Sequence, residues 1–245
     1  MPPLRGPFPA ANLSARREHN GAPGVPPRQR LQRYQVRPEE RIRGPQGGEL
    51  RIKRPSPQLI VFALWLLVFS SASQTMILSP ILPQIGMEIG IEAAVLGTLV
   101  SAYSLMVGIF AVISGPISDR IGRRRILLLG TGVMAIALSL HVFVADYASF
   151  LVLRMLTGVA GGVLSGSAVS YIGDWFPYNR RGWATGWVMS GAAFGQIIGI
   201  PLGIVLAGRW GFRAPFYMFA VTMALTFILI WLRIPQPPVR RHDAP

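Results

Sequence analysis

From Leu59 onward the chain alternates between long apolar runs and short polar breaks. Six runs come near the roughly 20 residues that a helix needs to cross a bilayer. They cover about 59–79, 93–115, 126–145, 149–172, 183–207 and 214–233. Backbone polar groups in hydrocarbon must be satisfied within the segment, so each run predicts a helix. A membrane β-barrel would instead need strands of about ten residues with alternating polarity, and that pattern is absent. The pattern therefore predicts an all-α membrane domain of six transmembrane helices over 58–233.

The flanks are of another kind. Residues 1–57 hold eleven prolines and twelve Lys/Arg against four Glu, with almost no apolar periodicity. Such a stretch buries too little apolar surface to offset its chain entropy, which predicts a disordered basic tail. It is no secretory signal, because the first apolar run starts only near Gln58 and is too long. Basic tails bind nucleic acid or anionic lipid, or simply stay solvated and help to fix topology. The solvated tail is the expectation, with no nucleic acid as partner. Residues 234–245, with Pro235-Gln236-Pro237-Pro238 and more arginine, read as a tail or as the start of a linker.

Composition narrows the chemistry. Hydrophobic residues make up 51% of the chain, yet its formal charge is +14, so apolar and basic residues are segregated. With no cysteine, disulfides and Cys-ligated metals are excluded. His19, His141 and His242 have no metal-ligand spacing. No phosphate loop, catalytic triad or pair of catalytic carboxylates is present, so neither an enzyme nor a cofactor is expected. The 23 arginines against one lysine point to a GC-rich bacterial genome, and hence to a bacterial inner membrane. If the six runs alternate across the bilayer, 21 Lys/Arg fall on one side and only Arg209 and Arg213 on the other. The positive-inside rule then puts both termini in the cytoplasm.

The densest charge lies in Gly115–Arg125, GPISDRIGRRR, which predicts a tight turn between the second and third helices. Gly115, Asp119, Arg120, Gly122, Arg123 and Arg124 resemble the signature loop of the major facilitator superfamily, Gly-x-x-x-Asp-Arg-x-Gly-Arg-Arg. The resemblance spans about 58–233 and implies one six-helix half of a transporter. It also implies alternating access by rocking of two such halves about a midplane site. The 119–124 turn has a short echo at Gly208–Arg213 on the opposite side, as an inverted three-plus-three repeat requires. The drug or sugar efflux branch, working by proton antiport, is the expected function. Import of sugars or organic anions and a non-transporting anchor are the alternatives. Ending at Pro245, the chain reads as a fragment, a split half or one copy of a homodimer. Its expected partners are the lipid bilayer, a small-molecule substrate, protons and a second six-helix half.

Several residues inside this frame are candidates. Arg154 lies within the fourth run, where a bare cation costs about 3 kcal/mol. With Gly158 it matches an arginine and glycine that recur on this helix of the family, which implies a role in cavity or coupling; snorkelling to the interface is the alternative. Gln74 joins Ser70, Ser71, Ser73 and Thr75 as the polar group of the first helix. Gly191, Gly195, Gly199 and Gly203 form a stripe of small residues for close helix packing. The stripe resembles the family's antiporter motif, except that Pro201 stands one position late. Asp174, Arg180 and Arg181, with Asp119 and Arg120, are expected to form a cytoplasmic ion-pair latch.

Overall fold

A computed structural model describes residues 56–237. The expectation of a disordered tail lies outside these residues apart from Ser56 and Pro57, as does 238–245 of the expected tail or linker. Six helical stretches are long and apolar enough to cross a membrane: Pro57–Met76, Ala93–Ile121, Arg123–Phe143, Tyr147–Trp175, Tyr178–Trp210 and Arg213–Arg233. These are called the first to sixth spans. The described residues contain no strand.

The first span is α1 (Pro57–Met76), with proline at its start, where a missing N–H costs nothing. The helix is interrupted at Ile77 and continues as α2 (Leu78–Ile89). Pro80 cannot donate to the Met76 carbonyl, so the hydrogen-bond ladder resets there. The apolar pattern places the end of this run at 79, and helix extends ten residues beyond it. The true stop is Gly90, at φ 75°, where the N–H groups of Gly90 and Ile91 both donate to the Gly86 carbonyl at 2.9 Å.

The second span, α3 (Ala93–Ile121), corrects the expected turn at 115–125. Helix continues through Ser118, Asp119 and Arg120, and the chain reverses at Gly122 alone, at φ 98°. Helical hydrogen bonding does not stop where lipid stops, and polarity alone does not end it. The third span begins at once with α4 (Arg123–Leu140) and closes in a 3₁₀ turn at His141–Phe143. Asp146 caps the next helix through its carboxylate, which accepts from the Ser149 N–H at 2.7 Å.

The fourth span is α5 (Tyr147–Ser165) followed after Gly166 by α6 (Ser167–Trp175). The expected 173–182 loop shrinks to Phe176 and Pro177. The fifth span is α7 (Tyr178–Phe194), a π-turn at Gly195–Gly199 and α8 (Ile200–Trp210). Pro201 leaves the Ile197 carbonyl without its i+4 donor, and the ladder widens just there. Gly211, at φ 83°, turns the chain into the sixth span, α9 (Arg213–Arg233). Gly122 and Gly211 thus play one part at the same joint of each three-helix repeat. The helical stretch that opens each repeat is also interrupted about two-thirds along, at Ile77 between α1 and α2 and at Gly166 between α5 and α6.

Two close helix pairs hold the bundle. The second span lies against the fourth at its glycines: a Cβ at Gly158 would sit 2.6 Å from the Tyr103 carbonyl oxygen, and one at Gly162 2.7 Å from that of Val107. The first lies against the fifth, where Cβ atoms at Gly191 and Gly195 would come within 2.7 and 2.8 Å of the Trp65 and Phe69 carbonyls. Gly199 faces Ser73 and Gly203 faces Ile77. The third and sixth spans close the bundle through His141 and Phe216, joined by Phe150 of the fourth span and by Phe212 just before the sixth, all fully buried.

Candidate functional site

A polar cluster crosses the bundle between the first, second and fourth spans. Arg154 is 1% exposed and Gln74 is fully buried. Between them stands Tyr103 of α3. The Arg154 guanidinium lies over the tyrosine ring, with its carbon 4.5 Å from the centroid. The Tyr103 hydroxyl meets Thr75 Oγ1 at 2.8 Å and accepts from Gln74 Nε2 at 3.1 Å. Gln74 Oε1, Arg154 Nε and Arg154 Nη1 are buried without a hydrogen-bond partner among the described residues. Desolvated groups of this kind are costly unless something else meets them.

This placement decides between the two readings of where the Arg154 side chain goes. Arg154 does not snorkel toward the interface but points into the bundle, because glycines at 158 and 161 clear room for Tyr103 beside it. Gly158 gives the second span a surface for close packing. An aromatic in an apolar run faces lipid by default, and Tyr103 departs from that. It is buried, whereas Trp183, Trp187 and Met189 are exposed. Glycines four and seven places after Arg154, where an aromatic side chain needs a slot, were the signal for it.

Neighbouring polar contacts stitch the first span to the rest. Ser70 donates to Thr222 Oγ1 at 2.9 Å, Ser73 to the Gly195 carbonyl at 3.2 Å and Trp65 Nε1 to Ser190 Oγ at 3.2 Å. The packing residues Gly191, Gly195, Gly199 and Gly203 therefore abut the same helix that carries Gln74.

At the arginine-rich end the acids are joined by a residue other than those expected. Arg123 pairs with Asp119 on its own side and, through Nε, with Asp174 Oδ2 at 3.1 Å. Its Nη1 donates to Ser118 Oγ at 2.9 Å. Neither Arg120, Arg180 nor Arg181 forms an ion pair with these acids among the described residues. Arg181 donates instead to the Phe176 carbonyl at 3.0 Å, closing the bend after α6. Arg124 caps the far end of α9 by donating to the Trp231 carbonyl at 2.7 Å. Tyr171 donates to the Pro235 carbonyl at 2.7 Å, so the segment after the sixth span is pinned to the same end. Gly115 has open space where a Cβ would be, so neither a turn nor a close approach within the described chain uses it.

The sequence profile described as Major Facilitator Superfamily matches residues 64–245. The chain belongs to the Major Facilitator Superfamily. Among its relatives is the Multidrug resistance protein MdtG of Proteus mirabilis (strain HI4320). It is 32% identical over 191 residues, which are 75% of this chain and 47% of that protein. MdtG of Dickeya zeae (strain Ech586) is 33% identical over 188 residues, 74% of this chain and 46% of the relative. An uncharacterized MFS-type transporter, YwfA of Bacillus subtilis (strain 168), is 30% identical over 174 residues, 71% and 42%. The chain thus spans about half the length of the curated relatives it matches. The fold is that of solved superfamily members. The proton:xylose symporter XylE bound to 6-bromo-6-deoxy-D-glucose superposes with TM-score 0.66 at 19% identity, over 74% of this chain and 45% of that one. The POT family transporter PepTSo superposes with TM-score 0.67 at 20% identity, over 76% and 39%. This is a multi-pass integral membrane protein of a transporter family.

Proposed function

We propose that the chain takes part in export of small, drug-like molecules by alternating access, coupled to a proton gradient across a bacterial inner membrane. Arg154 carries the reading. A cation sealed inside a lipid-embedded bundle is expensive and marks a working site by default, and a mere anchor has no use for one. The multidrug resistance names of the MdtG relatives support export.

Rocking about a central site needs a second six-helix body, as a separate chain, a continuation or a second copy. The least buried spans are the second and fifth, at 17% and 28% of their apolar stretch against 39–50% for the other four. Along α3 the small residues Gly97, Ser101, Ser104, Gly108 and Gly115 are all exposed. That face suits another helix at close range. The Asp119–Arg123–Asp174 bridge is then the latch at the cytoplasmic end, made when that end is closed and broken as it opens.

The test is drug accumulation and susceptibility in a bacterial host stripped of its own exporters. The host would carry the full chain with and without the reading frame that follows its gene. Energy-dependent export that disappears in Arg154→Ala, with membrane insertion unchanged, supports the proposal. Uptake of a labelled sugar or organic anion in place of export would make it an importer. Normal insertion with no transport in either setting would make it an anchor.

A further inference from the structure

Among the described residues no carboxylate pairs with Arg154. The acids of the described chain are Glu88, Glu92, Asp119, Asp146 and Asp174, and its ion pairs lie at the arginine-rich end. What faces the guanidinium is an aromatic ring, and the geometry is specific. The Arg154 carbon stands 4.5 Å from the Tyr103 centroid. A ring face carries negative potential, and its pull on a cation grows when both are desolvated.

The seat for that ring is built into the fourth span. A Cβ at Gly158 would strike the Tyr103 carbonyl oxygen at 2.6 Å, and one at Gly161 its hydroxyl at 2.9 Å. The far end of the ring is held from another helix, by Thr75 and Gln74 of the first span. One side chain therefore touches the arginine with its face and the first span with its hydroxyl.

We propose that Tyr103 is a positioning residue for Arg154. Its ring takes the place of the missing acid and holds the guanidinium inside the bundle, and its hydroxyl ties that arrangement to the polar face of the first span. This rests on the transport reading above for its functional consequence, but the pairing itself does not. The two contacts separate chemically. Tyr103→Phe keeps the ring and loses only the hydroxyl, whereas Tyr103→Leu loses both.

Two measurements decide it. The first is thermal unfolding of the purified full chain in detergent, as a cycle of Tyr103→Leu, Arg154→Met and the double variant. The expected result is non-additive: the double variant is more stable than the summed shifts of the single ones would make it. Additive shifts overturn the pairing. The second is transport kinetics. Tyr103→Leu is expected to lower the maximal rate about tenfold, the scale of a lost desolvated cation–π contact, with KM little changed. Tyr103→Phe is expected to restore most of that rate. Wild-type rates in Tyr103→Leu, or a Tyr103→Phe as impaired as Tyr103→Leu, overturn the role of the ring. If the wild type itself moves no substrate, the transport reading fails while the unfolding cycle still decides the pair.

Discussion

Arg154, Asp119 and Asp174 are all charged, yet they stand in opposite energetic settings. Arg154 is sealed from solvent, so Arg154→Met trades an expensive group for an apolar one of similar length. Buried ions are often no source of stability. The purified Arg154→Met chain is therefore expected to unfold at or above the wild-type temperature while export is lost, read by circular dichroism beside the drug assay. Asp119 and Asp174 are 63% and 40% exposed at the side chain. Pairs in water contribute about 0.2–1 kcal/mol. Asp174→Asn should thus leave the unfolding midpoint almost unmoved, while changing the transport rate if the latch is part of the cycle. Asp146 sits between the third and fourth spans, outside both. Accepting the Ser149 N–H holds its carboxyl below the ordinary value of 3.8. A depressed folded value gives stability that is complete above the unfolded value and is lost as pH falls through the folded one. The gap in unfolding midpoint between wild type and Asp146→Ala should be constant down to about pH 5 and close below about pH 4.

Among the helices, glycine decides what can approach what. Gly162→Ala would push a methyl group to 2.7 Å from the Val107 carbonyl oxygen, backbone that cannot step aside. Overpacking of this kind costs about 1–3 kcal/mol, so the midpoint should fall measurably. Gly173→Ala meets nothing within 4 Å, and alanine is better than glycine within a helix by about 0.5–1 kcal/mol. Its midpoint should hold or rise. The apolar runs made the six spans legible, and the spacing of Gly191, Gly195, Gly199 and Gly203 made a packing stripe legible. Helix ends were not legible. Nothing in Ser118, Asp119 and Arg120 forbids helix, so α3 ran on through residues that looked like a turn. Tyr103 was not legible as a site residue, because an aromatic in an apolar run faces lipid by default. Its seat depended on a helix fifty residues away.

The described residues form two three-helix repeats, and their sidedness is expected to follow from arginine. The chain has no cysteine, which lets single thiols report on any surface without background. A cysteine at Arg120 should react with impermeant reagents only from the cytoplasmic side, and one at Arg209 only from the opposite side. Reaction of both from one side would overturn the assigned orientation. The pairing of Tyr103 with Arg154 bears also on how such a protein is made. Tyr103 precedes Arg154 by 51 residues, and a chain leaves the ribosome from its N-terminus. The ring therefore reaches the insertion channel before the arginine does. A span with a buried cation, poorly suited to enter lipid alone, can leave that channel directly onto a helix whose aromatic face is waiting for it.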